Sequence, residues 1–112
     1  MPISHQKIAL PTHKGLLFVN AEDILYCNSE GSYTSIFLAN NKKFTVAKNL
    51  KEIAERLPQH LFSRIHRSHI VNIGHVAEFV NGNSQTVVLD NGEEFQIAKS
   101  KKSEFLEKFI KL

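Results

Sequence analysis

Residues 62–72 read Phe62-Ser63-Arg64-Ile65-His66-Arg67-Ser68-His69-Ile70-Val71-Asn72, and this stretch decides how the chain is interpreted. Its apolar residues include Phe, Ile and Val, which are enriched in strands. They predict two short strands, at 62–66 and 69–73, joined by Arg67 and Ser68. Because connections between strands present side chains to solvent, Arg67 and Ser68 are the first candidates for binding.

The rest of the chain repeats this pattern of short apolar segments separated by turn-forming residues, which predicts a mainly β fold with antiparallel sheets. Further strands are expected near 7–10, 16–19, 24–28, 33–38, 43–46, 76–80, 86–89 and 94–97. The segments 13–15, 40–41, 81–83 and 90–92 are predicted turns, since they contain Gly or Asn, which tolerate positive φ.

Helix is expected to be the minority element. A helix is predicted over residues 50–57, because its apolar residues recur at i, i+3, i+4 and i+7 and form one stripe. Asn49 is its expected N-cap, and Pro58 is expected to end it. A second short helix is predicted from about Ser103 to Ile110, with an apolar face against the sheets.

Size and composition favour one globular domain over residues 1–112. The chain has 112 residues, of which 42% are hydrophobic, enough for a single core. The single cysteine, Cys27, has no partner for an internal disulfide, and no secretion signal is recognised, so a cytoplasmic location is expected. No apolar run approaches the roughly 20 residues that cross a bilayer, so no membrane partner is expected.

The basic residues are concentrated in two places. Fourteen Lys and Arg against eleven Asp and Glu give a formal net charge of +3. The segment from His60 to Ala77 contains two arginines and four histidines but no acid, and Lys99, Lys101 and Lys102 form a second cluster. This distribution permits an anionic partner, although a solvated surface also explains a basic run.

The sequence offers little support for an enzyme. The acidic residues are scattered over different elements, and neither a P-loop nor a Gly-rich dinucleotide turn is present, so no cofactor is expected. His66 and His69 are expected on opposite faces of an extended strand, which disfavours a metal site. Cys27 lies in an apolar strand and is interpreted as a small buried residue.

Arg67 is the preferred base-contacting residue. A guanidinium can bond guanine O6 and N7 together, whereas Ser hydroxyls and Lys ammoniums suit phosphate oxygens. Arg64 and His66 are strand residues that can instead be engaged with nearby carboxylates or carbonyls, and this is the favoured interpretation for Arg64. Tyr33 follows a polar link between two strands, where it either projects towards a DNA backbone or packs as a core or cross-strand aromatic.

The stretch 62–72 resembles the hallmark segment of LytTR-type DNA-binding domains. Supporting segments occur in the family's order: Ile24-Leu25-Tyr26, Glu30-Gly31-Ser32-Tyr33-Thr34, Asn49-Leu50-Lys51-Glu52-Ile53, Asp90-Asn91-Gly92 and Ile97-Ala98-Lys99-Ser100. The resemblance implies an elongated set of antiparallel β-sheets with little helix, and the output domain of a bacterial two-component response regulator. It also implies a receiver domain in the full-length protein.

The resemblance further implies how DNA is bound. Loops at one edge would enter major grooves of double-stranded promoter DNA with tandem repeats, a second copy of the regulator binding beside the first. Groove-facing residues would be Tyr33, His66, Arg67 and Lys99, and phosphate contacts would be Ser68, Lys101 and Lys102. Two positions depart from the family pattern: His69 replaces an aromatic or aliphatic residue, and Ala98 replaces a frequent Ser.

Two other functions are compatible with the residues. A protein-interaction module with a basic rim would bind an acidic partner and show no preference among DNA sequences. A metal-dependent enzyme would retain metal on purification. Sequence-specific regulation of transcription is the leading hypothesis, because the acid-free stretch stands in the right order among the other segments.

Overall fold

The computed structural model describes residues 6–112, which form ten strands and two short α-helices. The strands are β1 (Lys7–Thr12), β2 (Gly15–Asn20), β3 (Ile24–Glu30), β4 (Tyr33–Leu38), β5 (Lys43–Val46), β6 (Phe62–His66), β7 (His69–Asn72), β8 (Val76–Asn81), β9 (Gln85–Leu89) and β10 (Glu94–Gln96). The helices are α1 (Leu50–Arg56) and α2 (Lys102–Leu106), and short 3-10 turns cover Ala21–Asp23, Ile73–His75 and Lys99–Lys101. Within the described part of the chain, neither helix is long and apolar enough to span a bilayer.

A central antiparallel sheet has the strand order β5-β4-β3-β7-β6, and it is covered on both faces. On one face, Cys27 and Ile36 belong to a core shared with α1 and the hairpin β1-β2. On the other face, Tyr26 and Val71 belong to a core shared with α2 and the sheet β10-β9-β8. Burial on both faces explains why β3 has the uninterrupted apolar run Ile24-Leu25-Tyr26-Cys27 instead of strict alternation.

The mainly β prediction is confirmed, with small differences at element ends. Asn49 caps α1, since its side chain accepts a hydrogen bond from the Glu52 amide at 2.9 Å. The C-terminal helix predicted to Ile110 is shorter: α2 ends at Leu106, where the chain tightens into i to i−3 hydrogen bonds ending at the Phe109 amide. Similarly, β7 ends at Asn72 because residues 73–75 turn.

Asn72 links the end of the stretch 62–72 to the rest of the core. Its side chain is buried, and its Nδ2 donates to the Ile24 carbonyl at 2.9 Å and the Ala21 carbonyl at 3.4 Å. Its Oδ1 accepts from the Gly74 amide at 2.9 Å. The amide group therefore joins the backbones of two turns by hydrogen bonds inside the core.

Candidate nucleic-acid interface

Two hairpin connections lie together at one end of the central sheet. The turn Gly31-Ser32 joins β3 to β4, with Gly31 at a φ of +66°, and Arg67-Ser68 joins β6 to β7. Because β3 pairs with β7, the two connections are neighbours, and the Ser29 amide donates to the Ser68 carbonyl at 2.9 Å. Tyr33 is 51% exposed at this end, so the alternative of a core aromatic is wrong for this residue.

The connection at Arg67 is held by hydrogen bonds on both sides. Arg64 Nη2 donates to the Arg67 carbonyl at 2.7 Å, and the Ser68 amide donates to His66 Nδ1 at 3.1 Å. The prediction that Arg64 is engaged with a neighbouring carboxylate or carbonyl is confirmed by the first contact, which is to a carbonyl. The backbone of Arg67 is thus restrained while its side chain is exposed, which suits a residue that must meet a ligand in a defined orientation.

The hydrogen bond from the Ser68 amide determines which ring nitrogen of neutral His66 carries the proton. Since Nδ1 accepts from a backbone amide, the proton of the neutral ring lies on Nε2, which is a donor. The side chain is partly buried, and it lines the same surface groove as Arg67. His66 therefore offers one N–H group beside the guanidinium of Arg67.

The expectation that His66 and His69 lie on opposite faces is wrong. The chain reverses between them, so they are cross-strand partners, and their ring centroids are 5.2 Å apart. His69 Nδ1 donates to Asn28 Oδ1 at 2.8 Å, and its ring packs against Phe95 with centroids 4.8 Å apart. Burial, and secondarily the charge of His66, lowers the pKa of His69. Among residues 6–112, no three metal-ligating side chains converge.

The C-terminal basic segment reaches this end of the sheet through β6. The Ala98 amide donates to the Ile65 carbonyl at 2.8 Å, and residues 99–101 then turn beside the β6-β7 connection. A groove about 390 Å³ in volume results, lined by Arg64, His66, Arg67, Ala98, Ser100 and Lys101. Lys101 and Arg67, which belong to different basic clusters of the sequence, therefore line the same groove.

The other two predicted lysines lie apart from this groove. Lys99 lines a separate depression together with Gly82 and Asn83 of the β8-β9 turn. The Lys102 ammonium lies over the ring of Phe79 on β8, 5.7 Å from its centroid. Lys99, Lys101 and Lys102 are thus distributed over neighbouring parts of the surface and do not line one common site.

One acidic side chain stands at the β3-β4 connection, where it is compensated. Glu30 accepts a hydrogen bond from the Ser35 hydroxyl at 2.5 Å and lies 3.5 Å from Lys43 Nζ. The Ser35 hydrogen bond, followed by the charge of Lys43, lowers the pKa of Glu30. The carboxylate is therefore ionised at neutral pH, with a cation beside it to reduce its repulsion of an anionic ligand.

The comparison with known families agrees with this geometry. A model described as the LytTr DNA-binding domain matches residues 14–110. The chain belongs to the LytTR family. A solved LytTr DNA-binding domain, of a putative methyl-accepting/DNA response regulator from Bacillus cereus, superposes with a TM-score of 0.75 at 26% identity. That superposition covers 91% of this chain and 94% of the other.

The similar curated proteins are much longer than this chain. The sensory transduction protein LytT of Bacillus cereus is 32% identical over 76 residues, which are 68% of this chain and 30% of that protein. The heme-containing CO-sensing transcriptional regulator RcoM 2 of Paraburkholderia xenovorans is 25% identical over 104 residues, 90% of this chain and 39% of that protein. The chain therefore spans about a third of these relatives.

Three residues in or near the candidate interface of the LytTR domain were missed by sequence reasoning. Ser100 lines the groove beside Ala98, so a hydroxyl is present although Ala98 itself has none. Asn28 orients His69, and Lys43 accompanies Glu30. Only Ser100 had a sequence signal, its place within the basic segment 99–102; the other two depend on pairing between strands.

Proposed function

We propose that this LytTR domain regulates transcription by binding promoter DNA sequence-specifically through the end of its central sheet. The observation that carries the proposal is the restrained connection at Arg67, whose backbone is held by Arg64 and whose neighbour Ser68 is held by His66. An exposed guanidinium on a fixed backbone suits bidentate bonding to guanine in a major groove. A flexible loop would lose affinity through ordering on binding.

The remaining site residues are assigned by position and chemistry. His66, through Nε2–H, and Tyr33, through its exposed ring and hydroxyl, are proposed to contact the groove beside Arg67, with Lys99 at the margin. Lys101, Lys102 and Ser68 are proposed to contact phosphates, which position a protein without specifying sequence. The carboxylate of Glu30, whose pKa is lowered, carries a negative charge at this face, and the nearby Lys43 ammonium offsets it.

The full-length protein is proposed to be a cytoplasmic two-component response regulator. The similar proteins extend well beyond the matched domain, and one is named a sensory transduction protein. A receiver domain would occupy part of the additional length, and two copies would bind tandem repeats in promoter DNA. Neither the repeats nor the second copy changes the assignment of residues within one domain.

Selection from a random duplex library, followed by fluorescence anisotropy, tests this proposal. The enriched duplex should bind more tightly than a shuffled duplex of the same length and composition. Arg67→Ala should remove about 1 to 3 kcal/mol of this discrimination, and Arg67→Lys should not restore it, because an ammonium lacks the planar fork. Lys42→Ala is the matched control, since Lys42 lies in the β4-β5 turn at the opposite end of the sheet.

The salt dependence separates phosphate contacts from base contacts. Lys101→Ala should weaken both duplexes similarly and reduce the slope of log affinity against log salt by about one. Lys99→Ala should change base preference if Lys99 faces the groove, and only the slope if it contacts phosphate. Equal binding of enriched and shuffled duplexes, with tight binding to an acidic protein, would favour an interaction module instead.

A further inference from the structure

A second groove lies between the N-terminal hairpin β1-β2 and the central sheet. It shares no lining residue with the groove at Arg67. Its floor is apolar and includes Ile36 of β4, Val46 of β5 and Ile53 of α1, while residues 7–11 of β1 form one wall. Its volume of about 410 Å³ lies in the range of ligand sites. The groove is thus an apolar site outside the proposed DNA interface.

The wall formed by β1 presents a free strand edge. In the ladder with β2, the Gln6 carbonyl accepts from the Ala21 amide at 2.8 Å, so even-numbered residues direct their backbone groups towards β2. Lys7 and Ala9 consequently direct their N–H and C=O groups away from it. Among the described residues β1 pairs with β2 alone, which leaves these groups available to another strand.

The rim of the groove is basic. Lys7, Lys48 and Arg56 line it, and none of the described carboxylates does; Glu52, which bonds Arg56 Nη2 at 3.1 Å, stands outside the lining. An acidic occupant is therefore electrostatically complementary. A second copy of the same surface is disfavoured, because it would bring like charges together.

We propose that this groove binds an extended peptide segment in which acidic and apolar residues alternate, added as a strand to the edge of β1. Backbone groups of Lys7 and Ala9 would pair with the segment, its apolar side chains would cover the floor, and its carboxylates would meet the basic rim. Pro11 has no N–H, so pairing is limited to the part of β1 before it. Leu16 of β2, which is 60% exposed, adds to the apolar lining of the groove.

NMR titration of the isotope-labelled protein with the peptide acetyl-Glu-Val-Glu-Val-Glu-amide tests this site. The amide signals of Lys7 and Ala9 should shift, and a peptide with Lys in place of each Glu should leave them unchanged. Ala9→Pro removes one backbone donor without changing charge, and it should weaken binding by about threefold to tenfold. Lys48→Glu should weaken it as well, whereas Lys14→Glu, in the hairpin turn, should not.

Several results would overturn the proposal. One is that the acidic peptide fails to bind at about 1 mM, and another is that the lysine peptide binds as tightly as the acidic one. A third is that Lys14→Glu weakens binding as much as Lys48→Glu does. Shifts at Arg67 in place of Lys7 and Ala9 would show that the peptide competes for the DNA surface instead. If a melting curve shows that Ala9→Pro does not fold, Lys48→Glu and its control decide the question alone. Loss of DNA binding by Arg67→Ala leaves this test unaffected.

Discussion

Replacing Arg64 by methionine separates the positioning of Arg67 from the stability of the fold. Methionine retains an unbranched stem of similar reach but removes the guanidinium. The lost bond from Nη2 to the Arg67 carbonyl, 2.7 Å long, is a bond to a charged group, which contributes about 1.5 to 3 kcal/mol, towards the lower end at this exposed site. The same change removes Arg64 Nε, which is buried without a partner among the described residues.

Losing the hydrogen bond lowers the free energy of unfolding, whereas removing the unpaired Nε raises it, so the two effects partly cancel in stability. They do not cancel in DNA binding. A buried polar group without a partner costs about 1 to 3 kcal/mol, so the free energy of unfolding of Arg64→Met should change by about 1 kcal/mol or less. DNA binding should suffer more, because the backbone of Arg67 is released and must be ordered again on binding. Fixing one residue costs about 1 to 2 kcal/mol, which corresponds to about tenfold in affinity for the enriched duplex.

Urea unfolding and fluorescence anisotropy on two duplexes measure both quantities. Arg64→Met should weaken binding to the enriched duplex more than to the shuffled one, and Arg64→Lys should recover part of the loss, since an ammonium can donate to the same carbonyl. Lys101→Ala is the comparison for simple loss of charge. The positioning role would be refuted by an equal loss on both duplexes, as for Lys101→Ala, or by wild-type affinity for the enriched duplex.

Three further predictions concern the rest of the fold. Asn72→Ala should lower the free energy of unfolding by about 2 to 5 kcal/mol, since the Ile24 carbonyl and the Gly74 amide lose their partner; a loss below about 1 kcal/mol in urea unfolding would contradict this. The pKa of His69 is lowered from 6.5, so its stabilising contribution is complete above that pH and is lost as the pH falls below it; His69→Gln should flatten that part of the stability profile. Burial raises the pKa of Cys27 to about 12, so a thiol reagent should label it only after unfolding, and rapid labelling of the native protein would refute its burial.

Sequence reasoning succeeded where the controlling interaction is local. The strand at 33–38 followed from its apolar run, and the helix at 50–57 followed from one apolar stripe and a capping Asn49. It failed for His66 and His69, because a continuous extended strand was assumed across the connection at which the chain reverses. It also predicted too long a C-terminal helix, because the spacing of apolar residues does not show where α-helical hydrogen bonds give way to i to i−3 hydrogen bonds.

The candidate site shows the same division. The stretch 62–72 indicates Arg67 by itself, because an arginine between two short strands lies at their connection, where side chains are presented to solvent. The sequence also predicted that Arg64 bonds a nearby carboxylate or carbonyl, but it did not indicate that the partner is the Arg67 carbonyl.

What the sequence by itself determined is therefore the class of fold, the order of its elements and the basic connection at Arg67, since each depends on residues within a few positions of one another. Only the tertiary structure decided that Tyr33 lies beside this connection, that Lys101 shares its groove and that Lys99 and Lys102 do not. Those relations depend on which strand pairs with which and on the hydrogen bond from Ala98 to Ile65. The pairing of β3 with β7 and the bond from Ala98 to Ile65 each join residues more than about 30 positions apart, and a local sequence pattern does not determine such contacts.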